Sequence, residues 1–130
     1  MEPRPQSAFS SESQMALFIH YYGFTMGQAD FDEQNHAICM ENYFVRSIPQ
    51  GQYLVSAGLE QVIHYSLNLR FTNADLKWLQ DSTTTHDMSD DFLDYLRDFK
   101  FGGDVYAVPE GTPVFANEPL ISITGSSIDV

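Results

Sequence analysis

Basic residues, cysteine and long apolar runs are all scarce in this chain of 130 residues. Only six lysines and arginines stand against 18 aspartates and glutamates, which gives a formal net charge of −12. Nucleic acids and anionic membranes bind proteins through positive patches, so we expect neither as a partner. No apolar run approaches the roughly 20 residues that cross a bilayer, so we expect no membrane-spanning segment.

The chain has one cysteine, Cys39, which cannot form a disulfide within the chain. A reducing compartment, the cytoplasm, is therefore expected. Residues 1–13 are rich in Pro, Ser, Gln and Glu and lack the apolar core of a secretory signal, so we interpret them as a flexible leader. Because 43% of the residues are hydrophobic, residues 14–130 are predicted to fold as one domain with its own core.

No motif in the sequence is sufficient for catalysis by itself. There is no Gly-x-Ser-x-Gly elbow, no glycine-rich phosphate loop and no Cys-x-x-Cys pair. Cys39 falls in a predicted strand, which favours a small buried core residue over a nucleophile. His64 is interpreted as a boundary histidine whose hydrogen bonds are satisfied. The histidines as a set lack the spacing of metal ligands: His20, His36, His64 and His86.

The segment from Asp30 to Glu41 resembles a calcium-binding EF-hand loop, with Asp32 at the third position. It departs from that pattern at Gln34, where Asp or Asn is usual, and at Asn35, where glycine makes the sharp turn. The alternative is a solvated turn followed by a strand from about Ile38 to Arg46, and we favour that interpretation.

The first helix is predicted from about Ser13 to Phe31, followed by helices that begin near Ser56, Thr72 and Ser89. Residues near one face of the first helix are Leu17, Phe18, Tyr21, Tyr22, Thr25 and Ala29. Gly23 and Gly27 weaken that helix and indicate either close packing or irregularity.

Three features organise the middle of the chain. Residues 53–55 suit a buried strand or a tight approach to a helix, and Ser56 is a candidate N-cap. An apolar face follows on a helix: Leu59, Val62, Ile63 and Leu67. Thr72 and Asp75 form a predicted capping box for the next helix. The polar segment Asp81 to Asp87 is interpreted as a surface loop.

The last predicted helix begins after its cap, Ser89. Its buried face contains Phe92, Leu93, Leu96 and Phe99. The carboxylates of its other face are interpreted as a solvated surface in preference to acid–base or metal-binding groups: Asp91, Asp94 and Asp98. Three short strands are predicted next, at 104–108, 112–115 and 120–124. Helices followed by adjoining strands predict an α+β fold.

An ordered set of short motifs resembles the N-terminal region of nicotinate phosphoribosyltransferases, from about Gln14 to Ile128. The motifs are Tyr22-Gly-Phe-Thr-Met26, Tyr43-Phe-Val-Arg46, Gln52-Tyr-Leu-Val-Ser-Ala-Gly-Leu-Glu-Gln61, Leu69-Arg-Phe-Thr72, Asp91-Phe-Leu-Asp-Tyr-Leu-Arg-Asp-Phe-Lys-Phe101, Val108-Pro-Glu-Gly-Thr-Pro-Val-Phe115 and Asn117-Glu-Pro-Leu120. The Ala-Gly-Leu-Glu-Gln turn and the Pro-Glu-Gly-Thr hairpin are the most specific of them.

The resemblance implies an activity and a fold. Members of this family join nicotinate to phosphoribosyl pyrophosphate, giving nicotinate mononucleotide and pyrophosphate for NAD synthesis, with ATP hydrolysis and Mg²⁺ assisting. The fold implied is the N-terminal portion of the α/β sandwich-like domain of a type II phosphoribosyltransferase, without its (β/α) barrel. The active site of the family lies at a homodimer interface.

The resemblance places two substrate-binding residues in this chain. Tyr22 corresponds to a tyrosine that reaches the nicotinate pocket of the partner subunit, and Thr25 lies beside it. An aromatic face against a pyridine ring is physically sensible, although Tyr22 could equally be an interface anchor. The family usually carries Thr-Asp where this chain has Ile19 and His20, which leaves the polar role of those positions open.

Catalytic residues of the family are expected beyond Val130, and so are its phosphate-binding segments and its phosphorylated histidine. We therefore expect this polypeptide alone to be inactive, with Mg²⁺ and ATP bound only by the full-length enzyme and no cofactor or metal bound by this chain. The alternative is a non-catalytic dimerisation or interaction module related to that enzyme.

Overall fold

The computed structural model describes residues 15–82 and 88–130. They divide into two compact units: the helical unit takes its described residues from Met1–Asn35 and His64–Phe101, and the strand unit contains the remainder. Separate helical and strand-rich parts confirm the predicted α+β class. The predicted leader, 1–13, lies outside the described residues, as does most of the predicted loop at 81–87.

The helices follow the predicted order. They are α1 (Tyr21–Asp32), α2 (Leu59–Asn68), α3 (Asn73–Asp81) and α4 (Asp90–Asp98). The boundary between the units falls within α2, which begins in the strand unit and ends in the helical unit. None of the helices in the described ranges has the length and apolar character needed to cross a membrane.

Side-chain caps fix the starts of α3 and α4, as the sequence predicts. The Thr72 hydroxyl accepts a hydrogen bond from the Asp75 backbone N–H at 3.2 Å, and the Asp75 carboxylate accepts one from the Thr72 N–H at 2.8 Å. The Ser89 hydroxyl accepts a hydrogen bond from the Phe92 N–H at 3.2 Å. Each cap satisfies backbone donors that the helix itself leaves unpaired.

The core of the helical unit is built around Phe92, whose side chain is only 1% exposed. The buried cluster consists of Phe24, Leu76, Leu79, Met88, Phe92, Leu93 and Leu96. The ring of Phe31 packs against Phe92 with centroids 5.6 Å apart. Phe99 is also buried, so the predicted apolar face of α4 is confirmed.

The predicted first helix differs from α1 in where it begins and in which face it buries. His20 has extended backbone dihedrals, and the turn before it is closed by a hydrogen bond from the Phe18 N–H to the Met15 carbonyl. Phe24 of α1 is buried in the core, and Tyr21 and Phe31 pack against it, as does Leu17 from the turn before the helix. Tyr22 and Ala29 are exposed, because they lie about 100° around the helix from the buried stripe.

One of the two α1 glycines has the close neighbour that the sequence indicates. A Cβ at Gly27 would lie 3.4 Å from the Phe92 ring, so close packing explains a small residue there. At Gly23 the nearest atoms belong to the side chain of Ile19, before the helix begins. That side chain is exposed, so Gly23 is not required by the core.

The strand unit contains two small antiparallel sheets. The first has the order β1-β5-β3 and the second pairs β2 with β4. The strands are β1 (Ile38–Phe44), β2 (Leu54–Val55), β3 (Asp104–Ala107), β4 (Pro113–Val114) and β5 (Pro119–Ser126). In the first sheet Glu41 is opposite Ile123, which is opposite Val105. No barrel closes within the described part of the chain.

Two predicted apolar surfaces of the middle segment are not buried. Leu54 and Val55 form β2 but are exposed, so the prediction of a buried strand is wrong. In α2, Ile63 and Leu67 are exposed, and no residue of that helix is fully buried. The sequence pattern identifies these side chains as apolar but does not indicate that the folded chain leaves them in solvent.

Candidate functional site

The first two turns of α1 carry Tyr22 and Thr25, the two predicted substrate-binding residues. Tyr22 is 64% exposed. The Thr25 hydroxyl donates a hydrogen bond to the Tyr22 carbonyl oxygen at 2.9 Å, because residues three apart are neighbours on a helix surface. The structure therefore brings the two residues together, with the phenol ring in solvent and the threonine proton held by the backbone.

Tyr22 belongs to a stripe of exposed apolar side chains that we call the outer stripe: Phe18, Tyr22 and Met26. These residues are four apart in sequence, so they follow one side of α1 and of the turn before it. Single exposed apolar residues are common, whereas three in a row indicate a surface that meets a ligand or another chain. The geometry is compatible with both roles considered for Tyr22.

His20 lies against Tyr22. The centroids of the two rings are 5.7 Å apart and their planes differ by 13°, which is an offset stacked arrangement. His20 occupies the N-cap position of α1, but its side chain makes no capping hydrogen bond. The sequence gives no signal for this stack, because residues two apart face different sides of a regular helix and meet here only through the extended backbone of His20.

The two most specific motifs of the sequence meet in the strand unit at a contact that we call the Glu110 junction. One carboxylate oxygen of Glu110 accepts hydrogen bonds from the backbone N–H groups of Gly58 and Leu59, at 2.9 and 2.8 Å. Glu110 thereby caps the start of α2 from 52 residues away in sequence. The Pro-Glu-Gly-Thr hairpin and the Ala-Gly-Leu-Glu-Gln turn form one structural feature.

Ser56 has a different role from the predicted N-cap. Its side chain makes no capping contact with α2 among the described residues, because α2 begins at Leu59 and Glu110 supplies the acceptor. Ser56 is buried; its N–H donates to the Thr112 carbonyl at 2.9 Å, and its own carbonyl accepts from the Gly111 N–H at 2.8 Å. Ser56 therefore joins the two segments through its backbone.

Two glycines allow the backbone of the Glu110 junction to turn. Gly58 has φ +97° and Gly111 has φ +82°, a region that side chains with a Cβ disfavour. A Cβ at Gly111 would meet no atom within 4 Å. Glycine is therefore required there by backbone conformation and not by space.

The segment that resembles a calcium-binding loop does not form such a loop in the structure. Asp30 and Asp32 lie within α1, and Glu41 lies in β1. The Asn35 side-chain amide donates to the Asp30 carboxylate at 2.7 Å, which closes the turn between helix and strand. The predicted turn followed by a strand is confirmed. Across residues 15–82 and 88–130, no three His, Cys, Asp or Glu side chains gather as a metal site.

Two single-residue predictions require correction. Cys39 lies in β1 as predicted but is only partly buried, because neither face of that strand is fully covered. Asn68 Nδ2 lies 3.4 Å from His64 Nδ1, whereas His64 Nε2 is buried and has no hydrogen-bond partner within the described ranges. The hydrogen bonds of His64 are thus only half satisfied. His86 lies outside the described residues.

The carboxylates of α4 form a solvated face, as predicted. Asp91, Asp94 and Asp98 are all exposed. Arg97 forms an ion pair with Asp94, and both side chains are more than half exposed. Exposed pairs of this kind contribute little to stability, and nothing in their geometry indicates an acid–base pair.

Residues 17–130 match the model of the nicotinate phosphoribosyltransferase (NAPRTase) N-terminal domain family. This chain belongs to that family. The match confirms the resemblance carried by the sequence motifs and includes α1, the Glu110 junction and both sheets. The match begins at residue 17. Ile19 and His20, which replace the Thr-Asp usual in the family, therefore lie within the matched domain.

Individual relatives agree with the family assignment. Nicotinate phosphoribosyltransferase pncB2 of Mycobacterium tuberculosis is 36% identical over 115 residues, covering 88% of this chain and 24% of that protein. Nicotinate phosphoribosyltransferase of Bacillus subtilis is 40% identical over 87 residues, covering 66% and 17%. The crystal structure of human nicotinic acid phosphoribosyltransferase superposes with a TM-score of 0.72 and 25% identity, covering 85% of this chain and 22% of that one. This chain spans less than a quarter of their length.

Proposed function

We propose that this chain is the N-terminal part of a nicotinate phosphoribosyltransferase. In the reaction, the pyridine nitrogen of nicotinate attacks the anomeric carbon of phosphoribosyl pyrophosphate, and pyrophosphate leaves. The chain contributes the nicotinate-contacting surface of α1 and does not contribute the catalytic residues, which we place beyond Val130. On this proposal, the outer stripe of one subunit enters the base pocket of its partner in a homodimer.

The observation that carries the proposal is the exposure of Tyr22 within a family domain. A buried tyrosine at this position could only support the core, whereas a phenol ring that is 64% exposed can lie against a flat pyridine ring. Ring–ring contacts contribute on the order of 0.5–1.5 kcal/mol beyond the area that they bury. The outer stripe gives that ring apolar neighbours, which help to exclude water from the pocket.

Thr25 supports Tyr22 on this proposal. Its hydroxyl proton already bonds to the Tyr22 carbonyl oxygen, so the side chain can offer a substrate only its two acceptor lone pairs. Holding that carbonyl fixes the first turn of α1 and the direction from which the Tyr22 ring projects.

Mg²⁺ and ATP belong to the rest of the enzyme on this proposal. The described residues gather no carboxylate or imidazole cluster that fits a metal ion. Hard cations such as Mg²⁺ need several oxygen ligands and substrate phosphates together. ATP coupling is assigned here from the family resemblance, and no reaction step is attributed to residues of this chain.

The test is formation of nicotinate mononucleotide from nicotinate, phosphoribosyl pyrophosphate, Mg²⁺ and ATP. It is run on this chain alone and on a version extended to the end of its reading frame. We expect activity only in the extended version. Activity of the 130-residue chain alone would contradict the assignment of catalytic residues beyond Val130, and inactivity of an extended, folded chain would contradict the assigned reaction.

Variants of the outer stripe test the role of Tyr22 in the active version. Tyr22→Ala is expected to raise the KM for nicotinate roughly tenfold, since about 1.4 kcal/mol of lost binding is a factor of ten. Met26→Ala, one turn along the same stripe, is the matched control and should change KM by less than about threefold. Equal effects of the two variants would favour an interface role for Tyr22.

A second candidate function is a non-catalytic dimerisation or interaction module. The exposed apolar side chains of the outer stripe and of β2 favour it, because apolar surface of this kind promotes association. Light scattering of the purified chain at several concentrations measures that association directly. A folded, dimeric chain whose extended version makes no nicotinate mononucleotide would favour the module.

A further inference from the structure

The imidazole of His20 stacks on the Tyr22 ring and does not cap the helix that His20 precedes. Its backbone is in the N-cap conformation, with φ −67° and ψ 139°, where Ser, Thr, Asp or Asn side chains usually accept a hydrogen bond. The imidazole instead stacks on the Tyr22 ring with centroids 5.7 Å apart. Both side chains are exposed, so burial in the core does not account for the arrangement.

Within residues 15–82 and 88–130, nothing occupies the ring nitrogens of His20, so they can bind a ligand. No backbone or side-chain group of the described residues makes a hydrogen bond with the imidazole. An imidazole carries at least one N–H donor in every protonation state that it adopts near neutral pH. Beside the phenol of Tyr22, the stack therefore presents an aromatic surface with a nitrogen donor at its edge.

The local charge suits a negatively charged ligand in spite of the overall charge of −12. The first turn of α1 contains no acidic side chain. The carboxylate of an incoming molecule meets no like charge from that turn. An aromatic carboxylate matches both halves of the stack, because its ring can lie against Tyr22 while its oxygens accept a hydrogen bond from His20.

We propose that His20 is a specificity-determining residue that makes the Tyr22 site prefer an aromatic carboxylate to the matching carboxamide. This inference rests on the proposed function and deepens it: the base selected is nicotinate, and nicotinamide is discriminated against. A hydrogen bond from imidazole to an ionised carboxylate is charge-assisted and stronger than one to a neutral amide oxygen. Specificity is this difference between the two affinities.

A purely structural role for His20 is separable from this one. If the imidazole only orients the Tyr22 ring, any flat ring at position 20 is sufficient, and both bases are affected alike. His20→Phe keeps a stacking ring and removes the N–H donors. His20→Gln removes the aromatic ring and keeps an N–H donor on a planar amide. The two variants therefore divide the stacking contribution from the hydrogen-bonding contribution.

The first measurement is a titration of the version extended to the end of its reading frame, followed by NMR of the ring protons of His20 and Tyr22, because the rest of the base pocket is assigned to the partner subunit. The ligands are nicotinate, nicotinamide and benzoate, the last testing whether a carboxylate on a plain aromatic ring is sufficient. We expect nicotinate and benzoate to shift both rings and nicotinamide to bind about 5- to 10-fold more weakly. Nicotinate that moves neither ring at millimolar concentration overturns the proposal.

The second measurement is the ratio of kcat/KM for nicotinate to that for nicotinamide in the version that transfers phosphoribosyl groups. His20→Phe is expected to lower this ratio about 5- to 10-fold, and His20→Gln to recover part of it. A ratio within about twofold of the parent's in His20→Phe overturns the proposal, because this variant keeps the stacking ring and removes only the N–H donors.

The outcomes also separate this inference from the proposed function. If the extended version is active but its ratio of kcat/KM for nicotinate to nicotinamide does not depend on residue 20, the proposed function is supported and the role of His20 is contradicted. If the extended version binds nicotinate selectively through His20 but transfers no phosphoribosyl group, the site is supported and the assigned reaction is contradicted. If the extended version neither binds nicotinate in the titration nor transfers a phosphoribosyl group, both proposals are contradicted.

Discussion

The helical unit and the strand unit are each stabilised by a different kind of interaction. The helical unit surrounds Phe92 with a buried apolar cluster. Among the described residues of the strand unit, only Ser56 and Val114 are buried, and long-range backbone hydrogen bonds connect its segments. Apolar burial is therefore the main stabilising term in the first unit, whereas hydrogen bonds between distant segments define the second.

The difference also concerns distance along the chain. The caps of α3 and α4 use residues three positions apart. The cap of α2 uses Glu110, which is 52 residues from Gly58. Local caps are encoded in one short stretch of sequence, whereas a distant cap exists only after the fold has formed. The candidate binding residues lie in the locally encoded unit.

Truncating the side chain at the centre of the helical core should give the largest loss of stability among the variants that test this contrast. Phe92→Ala is expected to lower the free energy of unfolding by about 3–5 kcal/mol, because it deletes a fully buried ring and leaves a cavity. Urea titration followed by Trp78 fluorescence measures it, since this tryptophan lies on α3. Val114→Ala is the counterpart in the strand unit and should cost roughly 1–2 kcal/mol. Similar losses in both variants would contradict the contrast.

Breaking the Glu110 junction is the next largest test. Glu110→Ala removes the acceptor for two backbone N–H groups and is expected to cost about 0.5–2 kcal/mol, as the loss of a helix cap does. Amide exchange should accelerate at Gly58 and Leu59. Glu118→Ala is the matched control, because within the described part of the chain Glu118 accepts a hydrogen bond from the nearby Phe115 N–H and from no distant segment. Unchanged exchange at Gly58 would show that the junction does not hold α2.

Substitution of the two α1 glycines should change the unfolding free energy by less, and should raise it where the other variants lower it. Gly23→Ala should stabilise the protein by about 0.5–1 kcal/mol through helix propensity, because only the exposed Ile19 side chain must move. Gly27→Ala should gain less, since the new methyl group meets the buried Phe92 ring. Thermal unfolding compares them, and a larger gain at Gly27 would show that the Phe92 cluster is less tightly packed than its burial indicates.

An alkaline titration gives the smallest expected effect. Burial raises the pKa of the Tyr65 phenol above its ordinary value of 10.0, because desolvation disfavours the phenolate. The folded state therefore binds this proton more tightly than the unfolded state does. Stability is fully present below pH 10 and falls as pH rises through the raised pKa.

Tyr65→Phe isolates this contribution. The variant lacks the ionisable group, so its unfolding free energy should lose less between pH 9 and pH 11 than that of the parent protein. Urea titrations at the two pH values measure the difference. An identical pH dependence in both proteins would assign the alkaline loss to other groups.

The sequence predicts the local features of this molecule well and the long-range ones poorly. Thr72 with Asp75 and Ser89 are capping residues in both the prediction and the structure, because a cap and its helix are contiguous. Ser56 has the same residue type but is displaced as a cap by Glu110. Composition could not reveal this, since the carboxylate arrives from a different part of the chain.

The candidate site was predicted only in part, for a geometric reason. The sequence resemblance identifies Tyr22 and Thr25, and the structure brings them together. The apolar pattern places Tyr21 and Tyr22 near one face of the helix, but Tyr21 lies against the core and Tyr22 lies in solvent. Adjacent residues differ by about 100° around a helix, which is enough to separate them. The stack of His20 on Tyr22 depends on the extended backbone before α1, which no periodic pattern encodes.

The pairing of β1 with β5 has a consequence for the order in which the protein folds on the ribosome. Asn42 in β1 contacts Ser122 in β5, 80 residues later, and α3 and α4 are synthesised between them. Domains fold as their residues emerge, so β1 spends that interval without its neighbouring strand. An unpaired strand that carries Ile38, Met40 and Tyr43 invites wrong pairings. We therefore expect the nascent chain to need protection by a chaperone until residue 126 has emerged.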